Sequence, residues 1–173
     1  MSSKEVARIR ALEKQICADP KQANDILVLK ERLVGGKNEV RLASLHALRR
    51  IFLSFTESGR LTIAEDDKQS KLDSYKLWLQ QQLQSYQECL CECIQQGDVV
   101  VMAPAIRTMV ETVRREWLVR REAVGTADVR KARFGIRAYS MLLHALLRSS
   151  LDLDVDALLL LRTEVFAAPD CAY

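Results

Sequence analysis

The sequence contains few of the residues that interrupt a helix. Only 6 glycines and 3 prolines occur in 173 residues, whereas β-sandwiches and barrels need a turn signal every 8–12 residues or so. The three most abundant residues are leucine, alanine and arginine, and all of them are good helix formers. The sequence therefore predicts an all-α protein of long helices joined by short turns.

Long apolar runs are also missing. The longest, at residues 141–147 and 155–161, fall well short of the roughly 20 residues that span a bilayer. The first five residues, Met1 to Glu5, lack the apolar core of a secretory signal. The 5 cysteines form an odd set without the spacing of a disulfide framework, which is typical of a reducing compartment. We therefore expect a nuclear or cytoplasmic protein without a membrane partner.

Candidate metal ligands are few and poorly arranged. His46 and His144 each lie within a segment whose apolar residues surround most of the predicted helix, which favours a core or interface position. Cys89, Cys91 and Cys93 alternate along another predicted helix, where successive thiols point about 200° apart and cannot converge on one zinc ion. We expect one buried thiol with two flanking ones and no metal site.

The usual sequence signatures of catalysis are missing as well. Gly35-Gly36 lacks the lysine and the serine or threonine that would follow in a phosphate-binding loop. No strained turn or loop setting supports a serine, histidine and aspartate triad. We therefore predict that the chain is not an enzyme, takes no cofactor and has no small-molecule substrate.

Apolar residues recur at helical spacing in about seven segments. Glycine, proline and capping residues set the expected bounds of these helices. The predicted helices run from Ser3 or Lys4 to Cys17, from Lys21 or Asn24 to Gly35-Gly36, from the cap Asn38 to Gly59, from the cap Asp73 to Gly97, from the cap Asp98 to about Gly125, from the cap Asp128 to Ser149, and from Asp154 to Ala168. Pro104 is expected in the first turn of the fifth helix or at its start.

The spacing of these helices favours a repeat architecture. The second and third, fourth and fifth, and sixth and seventh helices form successive antiparallel pairs at the 40–50-residue interval of HEAT or armadillo units. We predict a single domain over residues 1–173, a HEAT/armadillo-like α-solenoid of about three helical hairpins plus an N-terminal helix. The alternative is an irregular helical bundle. Residues 60–72, which include an acidic stretch, are expected to form a mobile connection.

The third predicted helix is the best candidate for the core. Its apolar residues surround most of the helix, so we expect neighbours on several sides. These residues are Val40, Leu42, Leu45, Leu48, Ile51, Phe52 and Phe55. Leu48, and Leu142 in the sixth helix, are expected to be buried.

The most informative charge pattern is a concentration of basic residues around the turn between the fifth and sixth helices. It comprises Arg114, Arg115, Arg120, Arg121, Arg130, Lys131, Arg133 and Arg137. Such a cluster could neutralise RNA phosphates, bind an acidic protein segment, or form a solvated and salt-bridged rim. Because the aromatic residues that accompany single-strand binding are missing nearby, and the net charge is only +3, the sequence leaves all three open.

Several segments between Asn38 and Trp117 carry a family resemblance. The segments are Glu39-Val40-x-Leu42, Arg49-Arg50-Ile51-Phe52, Ser58-Gly59-Arg60-Leu61 and Tyr75-Lys76-Leu77-Trp78-Leu79. Together they resemble the N-terminal region of the nucleolar complex protein four family, which assists assembly of the small ribosomal subunit. Residues 82–93 and 100–113 are similar to the next helical repeat of that family.

The resemblance implies a non-enzymatic helical scaffold of the nucleolus. It would act in small-subunit processome assembly and rRNA processing through protein contacts, in a pair with a large nucleolar scaffold protein and with other pre-ribosomal proteins; contact with pre-rRNA is a further expectation. Members of the family are longer, so we expect either the N-terminal part of a longer protein or a divergent short form. A helical adaptor of another nuclear or cytoplasmic complex, and a direct RNA-binding module, are the alternatives.

Overall fold

A computed structural model of the protein describes residues 2–61, 71–124 and 136–149. Within these ranges there are six α-helices and one 3₁₀ helix, and no β-strand. The α-helices are α1 (Ser2–Ala18), α2 (Ile26–Gly35), α3 (Asn38–Glu57), α4 (Lys71–Gln95), α5 (Val99–Val124) and α6 (Ile136–Arg148). The predicted all-α fold is confirmed.

The chain divides into two compact units, residues 1–89 and 90–173. The boundary falls within α4, so the described first unit contains α1, α2, α3 and most of α4, and the described second unit contains the end of α4, α5 and α6. Neighbouring helices pack on one another within each unit, α2 on α3 in the first and α5 on α6 in the second. This packing of successive helices is the element of an α-solenoid, and the predicted fold class is confirmed.

Three predictions about organisation concern residues that lie partly or wholly outside the described ranges. The expected mobile connection at residues 60–72 includes residues 62–70, and the seventh helix, from Asp154 to Ala168, lies wholly outside the described part. The connection, the last helix and the single domain over residues 1–173 stay predictions.

The first unit is built around α3, which packs against both α1 and α2. Leu45, Leu48, Ile51 and Phe55 are fully buried, as the apolar pattern of this helix predicts. Burying a leucine or isoleucine side chain contributes roughly 1.5–3 kcal/mol. The apolar surface of α3 is therefore a main source of stability in this unit.

An ion pair joins α1 to α3. The Nη2 atom of Arg50 donates a hydrogen bond of 2.7 Å to Oε2 of Glu13, and its Nε donates to Oε1 of the same carboxylate. This bond to Glu13 raises the pKa of Arg50. In the sequence, Glu13 lies among the apolar residues of the first predicted helix. Its two parallel hydrogen bonds with Arg50 explain why a carboxylate occupies the side of α1 that packs on α3.

The connection between α1 and α2 differs from its prediction. Pro20–Asp25 forms a 3₁₀ helix, and the Asp19 carboxylate caps it by accepting a hydrogen bond of 2.9 Å from the Lys21 amide. The α-helix starts only at Ile26, later than predicted. Proline at the first position suits a helix start, because its missing N–H needs no partner there.

The start of α3 is a second correction. Asn38 is the first helical residue, and the preceding Lys37 occupies the cap position without a side-chain hydrogen bond. The predicted cap of α5 is confirmed, because the Asp98 carboxylate accepts a 3.1 Å hydrogen bond from the Val100 amide. Asparagine and aspartate are both common caps, and nothing in the local sequence distinguishes these two cases.

Gly36 directly follows the last residue of α2, at a position where the surrounding atoms leave no room for a side chain. Its backbone is extended (φ −80°, ψ 168°), so the left-handed conformation usual for a glycine cap is not used. A Cβ atom placed there would lie 2.5 Å from the Arg32 carbonyl oxygen and 2.9 Å from Cγ1 of Val40. Gly59 and Gly97, by contrast, adopt positive φ values of 68° and 71° after α3 and α4, where glycine is favoured.

Two helix positions differ from the sequence expectation. α4 begins at Lys71, so Asp73 is its third residue and not its cap. Pro104 is the sixth residue of α5, beyond the first turn. A proline there removes one helix hydrogen bond, and the ring is only half-buried, so water can reach this part of the helix.

The second unit packs one side of α6 and one side of α5 inward. Ala138, Leu142 and Ala145 are buried on α6, as are Ile106 and Met109 on α5. The burial of Leu142 is confirmed. The expectation that α6 is surrounded by neighbours is wrong for the described residues, because Leu147 is 83% exposed and His144 is also exposed.

Candidate interaction surfaces

A hydrogen bond connects α4 to the turn after α3, next to two of the motifs that carry the family resemblance. The Nε2 atom of Gln80 on α4 donates a 2.7 Å hydrogen bond to the carbonyl oxygen of Leu61 in the turn after α3. The guanidinium of Arg60 lies 5.2 Å from the centre of the Phe55 ring. Burial raises the pKa of Tyr75, and the positive charge of Arg60 opposes that shift. The Gln80 hydrogen bond therefore holds the turn against α4, and this contact serves the fold.

A polar contact between α2 and α4 is centred on Lys30. Its Nζ atom donates hydrogen bonds to Oε1 of Gln82 at 2.7 Å and to Oγ of Ser85 at 3.0 Å. Burial lowers the pKa of Lys30, while Cys89 and Glu88 act in the opposite direction. Because the amine already has two side-chain acceptors, the contact is best explained as an anchor between the helices.

The outer side of α2 exposes apolar side chains. Leu27 is 44% exposed and Val34 is 45% exposed. They lie seven residues apart, two helical turns along the same side, and Glu31 between them is also exposed. Leu77 on α4 is 50% exposed. Single exposed apolar residues are common on protein surfaces, and these do not by themselves define a binding site.

Three residues of the predicted basic patch can be located by their side chains. Arg114 and Arg115 are exposed on α5, and Arg137 is exposed on α6. The side chains of Arg120 and Arg121, together with Arg130, Lys131 and Arg133, lie outside the described part of the chain. The patch as a whole stays a prediction.

The exposed side of α5 forms a narrow strip that is rich in charge. Ideal helix geometry places its members within about 120° of the helix circumference. We call this set the α5 strip; it consists of Val100, Pro104, Arg107, Glu111, Arg114 and Arg115. The residues on the remaining sides of the helix between positions 101 and 113 are mostly buried.

Sequence reasoning missed Arg107 as a member of this surface. It precedes the predicted basic cluster but lies seven residues before Arg114, so both side chains project from the same side of α5. Both are exposed, and Glu111 between them is half-buried. The seven-residue spacing was the signal that could have identified it.

The two histidines lie in different surroundings. His46 on α3 is half-buried, and burial, followed by the charges of Arg49 and Arg50, lowers its pKa. His144 on α6 is exposed, so the expected core position is wrong for this residue, and an interface position stays a prediction. In the described residues no three or more histidine, cysteine, aspartate or glutamate side chains are grouped as metal ligands.

The cysteine series is more buried than expected. Cys91 and Cys93 are both buried, at 8% and 2% exposure, and Cys89 is half-buried. The expectation of one buried thiol with two flanking ones is therefore wrong. Cys91 Sγ lies 3.7 Å from the Met141 carbonyl oxygen, which gives one of the thiols a polar neighbour.

No helix in the described ranges is both long and apolar enough to cross a membrane.

No curated protein and no solved structure matches this chain. A family model does match, over residues 1–161, and its description is nucleolar complex protein 4-like, TPR repeats. TPR repeats are pairs of helices, in agreement with the packed helices of both units. Because the match covers most of the sequence, the chain belongs to the nucleolar complex protein 4-like family of TPR-repeat proteins.

Proposed function

We propose that this protein is a non-enzymatic helical scaffold in the nucleolar assembly of the small ribosomal subunit, and that it acts through protein–protein contacts. The observation that carries the proposal is the family match over residues 1–161, whose description names both a nucleolar complex and TPR repeats. Helical repeats expose side chains on a rigid framework, and this arrangement suits binding to other proteins.

Two structural features support a scaffold role. The Lys30 amine and the Arg50 guanidinium are groups of the kind that take part in catalysis in enzymes. Here both are engaged in contacts between helices. The α5 strip and the exposed leucine and valine of α2 lie on helix surfaces that a partner can reach. Rigid helices with accessible outer sides are the form in which repeat proteins bind their partners.

The experiment is affinity purification of the tagged protein from whole-cell extract, followed by mass spectrometry and by hybridisation for precursor rRNA. The proposal expects enrichment of small-subunit precursor proteins and of precursor RNA. RNase treatment before purification separates the alternatives, because direct protein contacts survive it, whereas association through RNA is lost. Purification of a cytoplasmic or chromatin complex without ribosomal precursors would identify an adaptor of another system.

A further inference from the structure

The α5 strip has a regular spacing along the helix. Val100, which is 49% exposed, is followed at intervals of seven residues by Arg107 and Arg114. At about 1.5 Å per residue, each interval is about 10.5 Å along the axis. The strip therefore presents one apolar position and then two guanidinium groups in a nearly straight row.

The charge on the strip is basic but mixed. Arg107, Arg114 and Arg115 supply three positive charges, and Glu111 supplies one negative charge within the row. Carboxylates of a partner would be attracted to Arg107 and Arg114. The Glu111 carboxylate between them would repel a continuous chain of phosphates, so the pattern favours separated acidic groups over a nucleic-acid backbone.

The same strip is poor in the groups that bind bases. None of its six residues is aromatic, and stacking on aromatic side chains accompanies most single-stranded RNA binding. An α-helix, in contrast, repeats its surface every seven residues with only about 20° of drift. A partner helix can thus place one acidic residue against each arginine of the row.

We infer that the α5 strip docks an acidic amphipathic α-helix of a partner protein, with glutamate or aspartate residues seven apart facing Arg107 and Arg114 and an apolar residue facing Val100. This inference rests on the proposed function only in assuming that the chain acts through protein contacts. Arginine suits the role because its guanidinium binds a carboxylate through two parallel hydrogen bonds.

The probe is a labelled synthetic helix with two glutamates seven residues apart and a leucine seven residues before the first. Its binding to the full chain is measured by fluorescence anisotropy at low salt. Arg107→Glu with Arg114→Glu is expected to weaken binding about tenfold or more, since each reversed charge removes an attraction and adds a repulsion. Arg8→Glu with Arg10→Glu is the matched control, because both residues are exposed on α1; it should leave the affinity unchanged.

Two further reagents keep the test decisive if charge reversal perturbs folding. Glu111→Gln removes the one carboxylate of the row and should strengthen binding of the acidic helix by a few-fold. A peptide of the same composition with its glutamates five residues apart should bind more weakly, because it cannot align both with the row. Equal binding of the two peptides, or an unchanged affinity in the Glu111→Gln variant, would overturn the inference.

The remaining outcomes identify other occupants and also overturn it. Tighter binding of a single-stranded poly-uridine probe than of the spaced peptide, with loss in the arginine variant, would assign the strip to RNA. A gain in peptide affinity on replacing Asp152, Asp154 and Asp156 with Asn would assign it to the acidic segment of this chain. Either result leaves the extract purification, and with it the proposed function, to be judged separately.

Discussion

The hydroxyl of Tyr86 on α4 donates a buried hydrogen bond of 2.9 Å to the carbonyl oxygen of Leu45 in the middle of α3. The Tyr86 ring also stacks on Phe52, with ring centres 5.4 Å apart and planes inclined by 19°. One side chain thus fixes α4 on α3 by both a polar and an aromatic contact. Tyr86 is 1% exposed, so water does not replace either contact.

Removing only the hydroxyl tests the polar part of this contact. Tyr86→Phe keeps the stacked ring and should lower the free energy of unfolding by about 1 kcal/mol. Urea unfolding followed by circular dichroism measures the change. Tyr75→Phe, at a half-buried position, is the control and should cost less; a Tyr86→Phe midpoint equal to that of the wild type would show that the hydrogen bond contributes nothing.

The two adjacent glycines at the end of α2 should respond to alanine in opposite directions. Gly35 is helical and a Cβ atom there meets nothing within 4 Å, so Gly35→Ala should stabilise the chain by about 0.5–1 kcal/mol. Gly36→Ala brings a Cβ atom against backbone and should destabilise by about 1–3 kcal/mol. Melting temperatures of the two variants provide the comparison, and a shift of the same sign in both would refute the packing argument.

The core of α3 can be tested against an exposed position of equal chemistry. Leu48→Ala removes a fully buried side chain and should cost about 2–5 kcal/mol. Leu27→Ala changes a side chain that is 44% exposed and should cost under about 1 kcal/mol. Comparable urea midpoints for the two variants would place Leu48 outside the core.

His46 should make the folded state sensitive to mild acid. Its pKa is lowered by burial and by the neighbouring arginines, so below about pH 6.5 the unfolded chain binds a proton that the folded chain resists. Stability is therefore lost as the pH falls from that value through the lower pKa of the folded state. His46→Gln should flatten this loss in urea unfolding between neutral and acidic pH, whereas His144→Gln, at an exposed position, should retain it. The same slope in the wild type and in His46→Gln would assign the acid sensitivity to other groups.

Much of the fold follows from local sequence signals. Gly59 and Gly97 end their helices because they supply the positive φ angles that other residues avoid. The apolar period of α3 correctly predicts that Leu48 and Ile51 are buried. Such features depend on a few neighbouring residues, and a single sequence contains them.

Features that depend on contacts between distant segments were harder to predict. The presence of Glu13 in an apolar stripe is explained only by Arg50, 37 positions away. The burial of both Cys91 and Cys93 requires neighbours on opposite sides of one helix, and the exposure of His144 requires an open side on α6. Periodicity shows which residues share a side of a helix, but it does not show how many sides are covered.

The candidate surface was predicted in part. The charge density around Arg114 and Arg115 pointed to the helix that carries the α5 strip, and both residues are exposed. Arg107 was missed because it lies outside the dense cluster in the sequence, and the helix brings it onto the same side as Arg114. The seven-residue interval between Arg107 and Arg114 in the sequence indicates that both lie on the same side of a helix.

The most direct measurement is crosslinking mass spectrometry on nucleolar extract that contains the intact protein. A scaffold of small-subunit assembly predicts crosslinks from exposed lysines such as Lys4 and Lys21 to proteins of small-subunit precursors, and these crosslinks should persist after RNase treatment. Crosslinks confined to proteins of an unrelated complex, with none to ribosomal precursors, would contradict the proposed function.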